Sequence, residues 1–437
     1  MKLQREFAQY VLPTMAAYAL LAVYVIVDSL FVANAVGDAG IAAISIANPI
    51  YTIIGASGTG IGVAGSVIAS IKTGEGDTHG AQYAVGTASV LLIAVSIPML
   101  VISYVFATPL NSFLGGEGMS LKYAVDYTKV LAIGAPFQIL AAGLVPVLRN
   151  RGFVKYCMAT SIASCVLNAS LDWVFVIQLG YETAGAAAAT VSAQVFLCLA
   201  CLVVLARKDQ RLSARHFVVQ KEIVSRIAVL GLAPFSLTML PVVTIAVVNI
   251  NAMAQGGEQA VGAYGVIAGV TFLIQILIQS IGDGAQPLIS RYLGARNIAT
   301  VKKLREMNCV CAIALGFIGL ACMVLLRYQI PAWYGVSEGA ASITSYALPI
   351  FSMAYVFYGF THASTTFFYA IDNAKFANAL IIAEAALVVP ITFGMAFIMG
   401  INGVWWSMAI VQLILSGIAA ILMFKARKSD VLQVSEA

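Results

Sequence analysis

Long apolar runs follow one another along this chain, and the short segments between them carry most of its charged residues. Each run has about 20 residues or more, which is the length that an α-helix needs to cross a bilayer. The longest runs exceed this length, which indicates helices that are tilted or extend beyond the hydrocarbon. The pattern therefore predicts an all-α polytopic membrane protein with twelve spans, at residues 9–35, 40–71, 84–108, 124–147, 152–178, 183–206, 223–253, 258–290, 302–327, 343–368, 376–399 and 401–424.

The chain also repeats itself, because its second half can be aligned on its first without gaps over several segments. Six spans precede the middle of the chain and six follow it, so both halves insert with the same orientation, as in parallel repeats about an axis along the membrane normal. We predict two six-helix bundles related by a parallel pseudo-two-fold axis, at residues 1–206 and 223–437, joined by a charged cytoplasmic linker at 207–222. The coinciding positions include Gly62 with Gly282, Ser70 with Ser290, Gly74 with Gly294, and Asp77 with Asn297.

Composition and charge agree with this architecture. The 437 residues are 61% hydrophobic and only 10% charged, whereas soluble domains are about 25% charged. All but three of the 24 lysines and arginines fall on the side of the two termini, the exceptions being Lys122, Lys129 and Arg327. The positive-inside rule then places both termini in the cytoplasm of a bacterial or archaeal cell. The net charge of +5 reflects this topology, and no basic motif indicates nucleic-acid binding.

Two sequence features resemble chemical sites, but the residues around them favour a packing role. The seven cysteines lie in or beside apolar runs, where they are typical packing residues rather than metal ligands or disulfide partners. The glycine-rich run at residues 55–65 lies in the middle of a span and lacks the Lys-Ser or Lys-Thr pair of a phosphate loop. We predict that its small residues allow close helix packing. No Walker motif occurs, which argues against an ATP-driven pump.

Polar side chains inside the first-half spans are the main candidates for chemistry. Asp28 in the first span, Asp172 in the fifth and Thr190 in the sixth lie six or seven residues from the outer ends of their helices. This spacing places all three at about 10 Å below the outer surface. Asn168 shares a helical face with Asp172, because the two are four residues apart. A carboxylate at the centre of a span costs about 2.5–3.5 kcal/mol, so such acids indicate a functional site.

This group of oxygens suits a monovalent cation. Two acids that lie close together in a low dielectric do not both stay ionised without a proton or a cation between them. The Asn168 and Thr190 oxygens suit Na⁺, and they suit hydrogen bonds to a protonated acid equally well. The sequence leaves the coupling ion open, as Na⁺ or H⁺, and it leaves open a polar cluster that only fixes helix packing. No catalytic residue, resident metal or cofactor is predicted.

The second half lacks these residues at the corresponding positions but carries two other acids within its spans, Asp283 and Glu384. They are candidate acids of a substrate cavity, with a local hydrogen bond or cytoplasmic exposure as the alternative. His362 has no partner acid that the sequence identifies, which is typical of a packed histidine. Pro13 lies early in the first span, where it either occupies a first turn or weakens the helix so that the outer part, bearing Asp28, bends.

Four segments together resemble the multidrug and toxic compound extrusion (MATE) transporters over nearly the full length of the chain. They are VDSLFVANAVGDAGIAAISIANPI at residues 27–50, LRNRGFVKY at 148–156, LNASLDWVFVI at 167–177 with GAAAAT at 185–190, and GAQPLISRYLGARN at 284–297. The resemblance implies two six-helix bundles that alternate in access and export amphipathic, usually cationic compounds against inward Na⁺ or H⁺. It further implies that the protein acts as a monomer among membrane lipids.

The resemblance is to the archaeal and DNA-damage-inducible-like branch, which keeps its coupling site in the first half. It implies cation-coupling roles for Asp28, Asn168, Asp172 and Thr190, a ligand role for the backbone carbonyl of Ala186, and a helix-bending role for Pro13. Another pattern in the family has an acid in the seventh helix, but residues 241–243 carry none. The alternatives to an exporter are a lipid or lipid-linked oligosaccharide flippase of the same superfamily, a membrane-embedded enzyme and a receptor. We predict a transporter, not an enzyme.

Overall fold

The computed structural model describes residues 2–36, 38–207 and 214–428, and it leaves the side chains at 23–39, 41, 214, 427 and 428 outside the description. The described part is helical and contains no strand. The helices are α1 (Lys2–Val36), α2 (Asp38–Gly74), α3 (Thr78–Val105), α4 (Ala107–Phe113), α5 (Gly118–Asn150), α6 (Val154–Asp172), α7 (Glu182–Leu205), α8 (Lys221–Gly294), α9 (Ile298–Leu325), α10 (Gln329–Tyr334), α11 (Glu338–Ser352), α12 (Ala354–Ala370), α13 (Ala374–Met399) and α14 (Ile401–Lys428).

The twelve predicted spans correspond to these helices and confirm the polytopic all-α fold. The 74 residues of α8 hold two spans, since Gly257 breaks the helix with φ 64° and ψ −160° between the predicted spans 223–253 and 258–290. Helices α11 and α12 together form one span, interrupted at Met353. The short α4 and α10 were not predicted, because helices of seven and six residues are too short to give an apolar run.

The internal repeat is visible in the helix boundaries. Helices α3 and α9 have 28 residues each and begin at Thr78 and Ile298. The caps before them are also paired, because Asp77 accepts a hydrogen bond from the amide of Gly80, and Asn297 accepts one from the amide of Thr300. Such caps satisfy amides that have no partner within the helix. Equal helix lengths and equal start signals therefore make the two halves structural repeats.

Two compact units form in the chain, Ala16–Met239 and a second that combines Met1–Met15 with Leu240–Ala437. The first unit therefore includes the beginning of α8, and the second unit includes the beginning of α1. In the second unit, for example, Tyr292 of α8 donates a hydrogen bond of 2.8 Å to Glu6 of α1. The division at residues 1–206, 207–222 and 223–437 is inferred from the sequence repeat, and it stays a prediction.

Glycines allow the closest helix contacts in the first unit. A Cβ on Gly62 of α2 would lie 2.3 Å from the Cα of Gly143 in α5, and one on Gly58 would lie 2.4 Å from the carbonyl oxygen of Ile139. The backbones of α2 and α5 therefore touch. This confirms the packing role predicted for the glycine-rich run 55–65.

Part of the predicted linker binds to α3 of the first unit. Residues 208–213 lie outside the described part, and a 3₁₀ turn follows at Ala214–His216. Thr87 donates a hydrogen bond of 2.9 Å to the carbonyl of Val218, and a Cβ on Gly86 would lie 2.0 Å from the carbonyl oxygen of His216. The His216 ring packs edge-on against Tyr83, with centroids 4.9 Å apart. The linker therefore contacts α3 through a buried histidine.

We expect this contact to weaken in acid. Burial lowers the pKa of His216, and the charges of Arg215 and His79 lower it further. The neutral ring is favoured in the docked state, so docking is strongest above about pH 6.5, the ordinary histidine pKa, and weakens as the pH falls through the lower docked pKa. Hydrogen exchange of the amides at 214–220, corrected for the intrinsic effect of pH, measures this change. His216→Phe should keep the segment docked and remove the dependence, and an equal dependence in that variant contradicts the prediction.

Candidate functional site

The predicted coupling residues Asn168 and Asp172 lie on a helix whose buried face is polar. The buried side chains of α6 include Thr160, Ser164, Asn168 and Asp172, each four residues after the last. The opposite face is apolar and exposed, with Val166 62% accessible. This reverses the pattern of a helix in a soluble protein, because the apolar face meets lipid and the polar face turns into the bundle.

The chain changes its helical geometry directly after Asp172. Trp173–Gln178 forms a π-helix, a wider turn that is often found at functional sites. Gly180 then takes a left-handed conformation with φ 66°, and Tyr181 donates its amide to the carbonyl of Phe175 at 2.9 Å. Gly185 fits against that same carbonyl, since a Cβ there would lie 3.0 Å from it. These features return the chain so that the beginning of α7 packs against the π-helix.

The structure brings Asn168 and Thr190 together between α6 and α7. Asn168 Nδ2 donates a hydrogen bond of 3.3 Å to Thr190 Oγ1, and one turn away Ser164 Oγ donates to the carbonyl of Ala193 at 2.9 Å. Asn168 is 1% exposed, Asp172 0% and Thr190 3%. Within the described residues, Asn168 Oδ1 is buried without a hydrogen-bond partner. A buried amide oxygen of this kind is able to accept a hydrogen bond or to ligate a cation.

For the remaining first-half candidates, the structure gives the position on the helix but does not test the predicted role. Ala186 is completely buried in α7, one turn before Thr190. The backbone of Asp28 lies in α1, but its side chain lies outside the described residues. Pro13 lies inside α1, where Thr14 donates its hydroxyl to the carbonyl of Tyr10 at 2.8 Å. The bending role of Pro13 and the ligand role of the Ala186 carbonyl stay predictions.

A second group of polar side chains lies in the second unit, and the sequence did not reveal it as a group. Tyr369 donates a hydrogen bond of 3.0 Å to Asp283 Oδ1, and Gln412 Nε2 donates one of 2.8 Å to Glu384 Oε1. Each candidate acid thus accepts a hydrogen bond from another helix, and its role in a substrate cavity stays a prediction. We call the following set the second-half cluster: Asp283, Tyr358, His362, Tyr369, Glu384 and Gln412.

His362 is central to the second-half cluster rather than a solitary packed histidine. Its Nδ1 lies 3.4 Å from the hydroxyl of Tyr358, and the two rings are 5.4 Å apart. Asp283 of α8 lies within electrostatic range of both His362 and Tyr358. His362 is 3% exposed, and its Nε2 has no hydrogen-bond partner within the described part of the chain. Asp283 belongs to α8 and His362 to α12, so spacing along one helix gave no signal that both lie in the second-half cluster.

Metal-binding side chains are not clustered in the described residues, where no group of three or more histidines, cysteines and acids has the geometry of a metal site. The seven cysteines are free thiols. Ten described helices are long and apolar enough to cross a membrane, with α8 counted once.

Comparison with solved structures agrees with this fold. The chain superposes on a MOP superfamily transporter from Pyrococcus furiosus with a TM-score of 0.91 and 21% identity, covering 98% of this chain and 96% of that one. It also superposes on an outward-facing multidrug resistance MATE family transporter with a TM-score of 0.92 and 20% identity, covering 100% and 97%. At such identities the likeness establishes the fold.

Sequence relatives cover nearly the whole chain. The multidrug export protein MepA of Staphylococcus haemolyticus (strain JCSC1435) is 24% identical over 429 residues, 97% of this chain and 94% of the relative. MepA of Staphylococcus aureus (strain MSSA476) is 22% identical over 437 residues, 99% and 96% respectively. The MatE family matches twice, at residues 13–174 and 234–394, as the internal repeat predicts. The chain is thus an integral membrane transporter rather than an enzyme, and it belongs to the MatE family.

Proposed function

We propose that this protein exports amphipathic, cationic small molecules in exchange for inward movement of Na⁺ or H⁺. The buried group of Asn168, Asp172 and Thr190 is the observation that carries the proposal. The Asp172 carboxylate and the Asn168 amide lie on the buried face of one helix, the amide donates to the Thr190 hydroxyl, and the amide oxygen has no donor within the described residues. The MepA relatives are multidrug export proteins, which supports efflux as the direction of transport. Nothing in these relatives favours a flippase.

In the proposed cycle, Asp172 and Asp28 hold the ion, with Asn168, Thr190 and the Ala186 carbonyl as neutral oxygen ligands. Oxygen ligands suit Na⁺, and the same atoms can bond to a protonated carboxyl group. Arrival of the ion from outside bends α1 at Pro13 and releases the substrate, and release of the ion to the cytoplasm allows the next substrate to bind. Both termini face the cytoplasm, and one chain completes the cycle.

The driving force depends on how many ions cross for each substrate. One cation that crosses 100 mV yields about 2.3 kcal/mol, enough for an approximately 50-fold gradient. However, a one-for-one exchange with a monovalent cationic substrate moves no net charge, so only the chemical gradient of the ion would drive it. Exchange of two ions for one substrate would respond to the membrane potential as well.

Proteoliposomes that contain the purified protein test this proposal. A cationic dye is loaded, and a Na⁺ gradient, a pH gradient and a membrane potential are imposed one at a time. We expect one of the two ion gradients to drive dye movement, and the response to the potential to give the stoichiometry. Dye movement under neither ion gradient, for a series of cationic dyes, would contradict the proposal and favour a receptor.

The second-half cluster is proposed to attract the cationic part of the substrate. Asp283→Asn and Glu384→Gln are each expected to raise the KM for a cationic dye about tenfold, because each removes a negative charge from a low-dielectric site. Transport of a neutral substrate should keep its KM, which serves as the internal control. Equal losses for cationic and neutral substrates would show that the two acids only stabilise the helix packing.

A further inference from the structure

A groove between three helices of the second unit has no place in the transport cycle. It lies among α9, α12 and α14 and has a volume of about 310 Å³. This is at the low end of small-molecule sites, which span about 300–1,000 Å³. The groove therefore accepts a head group and the first part of one chain rather than a whole lipid. Its lining includes Arg305, Cys309, Phe360, Ala420, Met423 and Phe424.

One end of the groove is charged and the rest is apolar. Arg305 lies seven residues after the start of α9 at Ile298, which is about 10 Å along the helix. A helix of 28 residues is about 42 Å long and exceeds the hydrocarbon by roughly 6 Å at each end, so Arg305 lies close to the hydrocarbon boundary. Phe360 lies deeper, ten residues before the end of α12 at Ala370. The groove is thus charged near the membrane surface and apolar deeper in the membrane, as a lipid molecule is.

The Arg305 guanidinium is held in place at the charged end. Its carbon lies 5.9 Å from the centre of the Phe367 ring, and its side chain is only 7% exposed. Its Nη2 lies 3.7 Å from Glu306 Oε1, but the Glu306 side chain is 65% exposed, so this ion pair is weak. A guanidinium carries five N–H donors and can bind a phosphate through two of them in addition to its protein contacts.

The charges around the groove favour an anion. Lys302 precedes Arg305 by about one turn, and Lys425 follows the lining residue Phe424. Against these, Glu306 is the one acid that lines the described groove. The first-half position that the internal repeat aligns with Arg305 is Val85, which is buried at 2% exposure. The first half therefore does not repeat this charge, and the feature belongs to the second half alone.

The surface around the groove indicates where an occupant comes from. Val310 on α9 is 65% exposed, and Ile421 and Phe424 on α14 are each 58% exposed. In a membrane protein such apolar side chains face lipid. An occupant that enters from the bilayer and satisfies the groove must be amphipathic with an anionic end. In a zwitterionic lipid the phosphate is already paired with its own ammonium group, which makes it a poorer match.

We propose that this groove binds one acidic phospholipid, with its phosphate on Arg305 and the first part of one chain along Cys309, Ala420 and Phe360. The site lies at the helix ends that the positive-inside rule assigns to the cytoplasm, where basic pockets between helices bind anionic head groups. The bound lipid would bridge α9 and α14, which both pack against α12. This proposal does not depend on the coupling ion or on the transported substrate.

Native mass spectrometry of protein reconstituted with phosphatidylglycerol and phosphatidylcholine tests the proposal. We expect the wild-type protein to retain one phosphatidylglycerol with about tenfold preference over phosphatidylcholine, since its phosphate carries a net charge that no ammonium group of the same lipid neutralises. Arg305→Gln removes the charge and should lose this lipid. Ala420→Leu fills the groove with Arg305 intact, and it should lose the lipid too. Lys303→Gln removes an exposed charge from the same helix and should retain it.

Several outcomes would overturn the proposal. Retention of phosphatidylglycerol by Ala420→Leu would place the lipid elsewhere, and this variant decides the question if Arg305→Gln does not fold. Equal retention of phosphatidylcholine would make the groove an unselective apolar crevice. Inorganic phosphate that protects the lipid-free protein from thermal unfolding in detergent as well as phosphatidylglycerol does would make the ligand a free anion. Loss of the lipid in Lys303→Gln would show general surface attraction instead of a site.

Discussion

Asp172→Asn is expected to reduce gradient-driven efflux at least about a hundredfold, to the background rate, because the loss of about 2.7 kcal/mol of ion affinity is already a hundredfold change. Asp172 is completely buried and shares a helical face with Asn168. The asparagine that replaces it has nearly the same size but neither carries a proton nor neutralises Na⁺. Dye efflux from proteoliposomes under the driving ion gradient measures the loss.

Two comparisons make this test specific. Ser170→Ala changes an exposed residue of the same helix, whose hydroxyl only bonds to the carbonyl of Val166 at 2.8 Å, and should leave efflux unchanged. Asp28→Asn should behave as Asp172→Asn does, since the two acids are proposed to hold one ion. Both acid variants should still insert in the membrane and bind substrate. Normal coupled efflux in both would show that the polar group only fixes helix packing.

Gly62→Ala is expected to lower the free energy of unfolding by at least about 3 kcal/mol, at the upper end of the usual cost of overpacking. The new methyl carbon would lie 2.3 Å from both the Cα and the carbonyl oxygen of Gly143. Both contacts are backbone atoms of α5, so no flexible side chain can move aside, and the two helices must separate. The thermal unfolding temperature in detergent and the yield of monodisperse protein report this change.

Gly417→Ala is the matched control for this prediction. Gly417 also lies in a spanning helix, α14, but a Cβ there meets nothing within 4 Å. The substitution should leave the unfolding temperature unchanged or raise it slightly, because alanine favours a helix by about 1 kcal/mol over glycine. Equal unfolding temperatures for the two variants would contradict the close contact of α2 with α5.

The local features of the fold were predictable because a bilayer leaves the backbone few options. Every amide and carbonyl in the hydrocarbon must be bonded within its own segment, so an apolar run of sufficient length becomes a helix. The caps at Asp77 and Asn297 and the break at Gly257 are local features too, because each is formed by residues that are close together in the sequence. The π-helix after Asp172 was not predicted, since its extra residue per turn leaves no mark on an apolar run.

The candidate sites also differ in whether their residues are close together in the sequence. Asn168 and Asp172 share a face through spacing alone, and Thr190 lies just beyond the next turn of the chain, so the sequence already predicted this group. The bond from Tyr369 to Asp283 joins residues that are far apart in the sequence, on α12 and α8, and His362 of α12 comes within electrostatic range of Asp283 in the same way. No local pattern states which helices become neighbours or which faces they turn to each other.

The sequence by itself thus determined the membrane-spanning helices, the internal repeat, the family and the polar group at Asp172, since each depends on apolar length, spacing along one helix or motif order. Only the tertiary structure decided the second-half cluster, the docking of His216 on α3 and the groove beside Arg305. These features depend on side chains from separate helices, whose approach is fixed by packing at positions such as Gly62 and Gly143 in the first unit and Gly316 and Gly359 in the second. Packing of this kind is a property of the folded bundle as a whole.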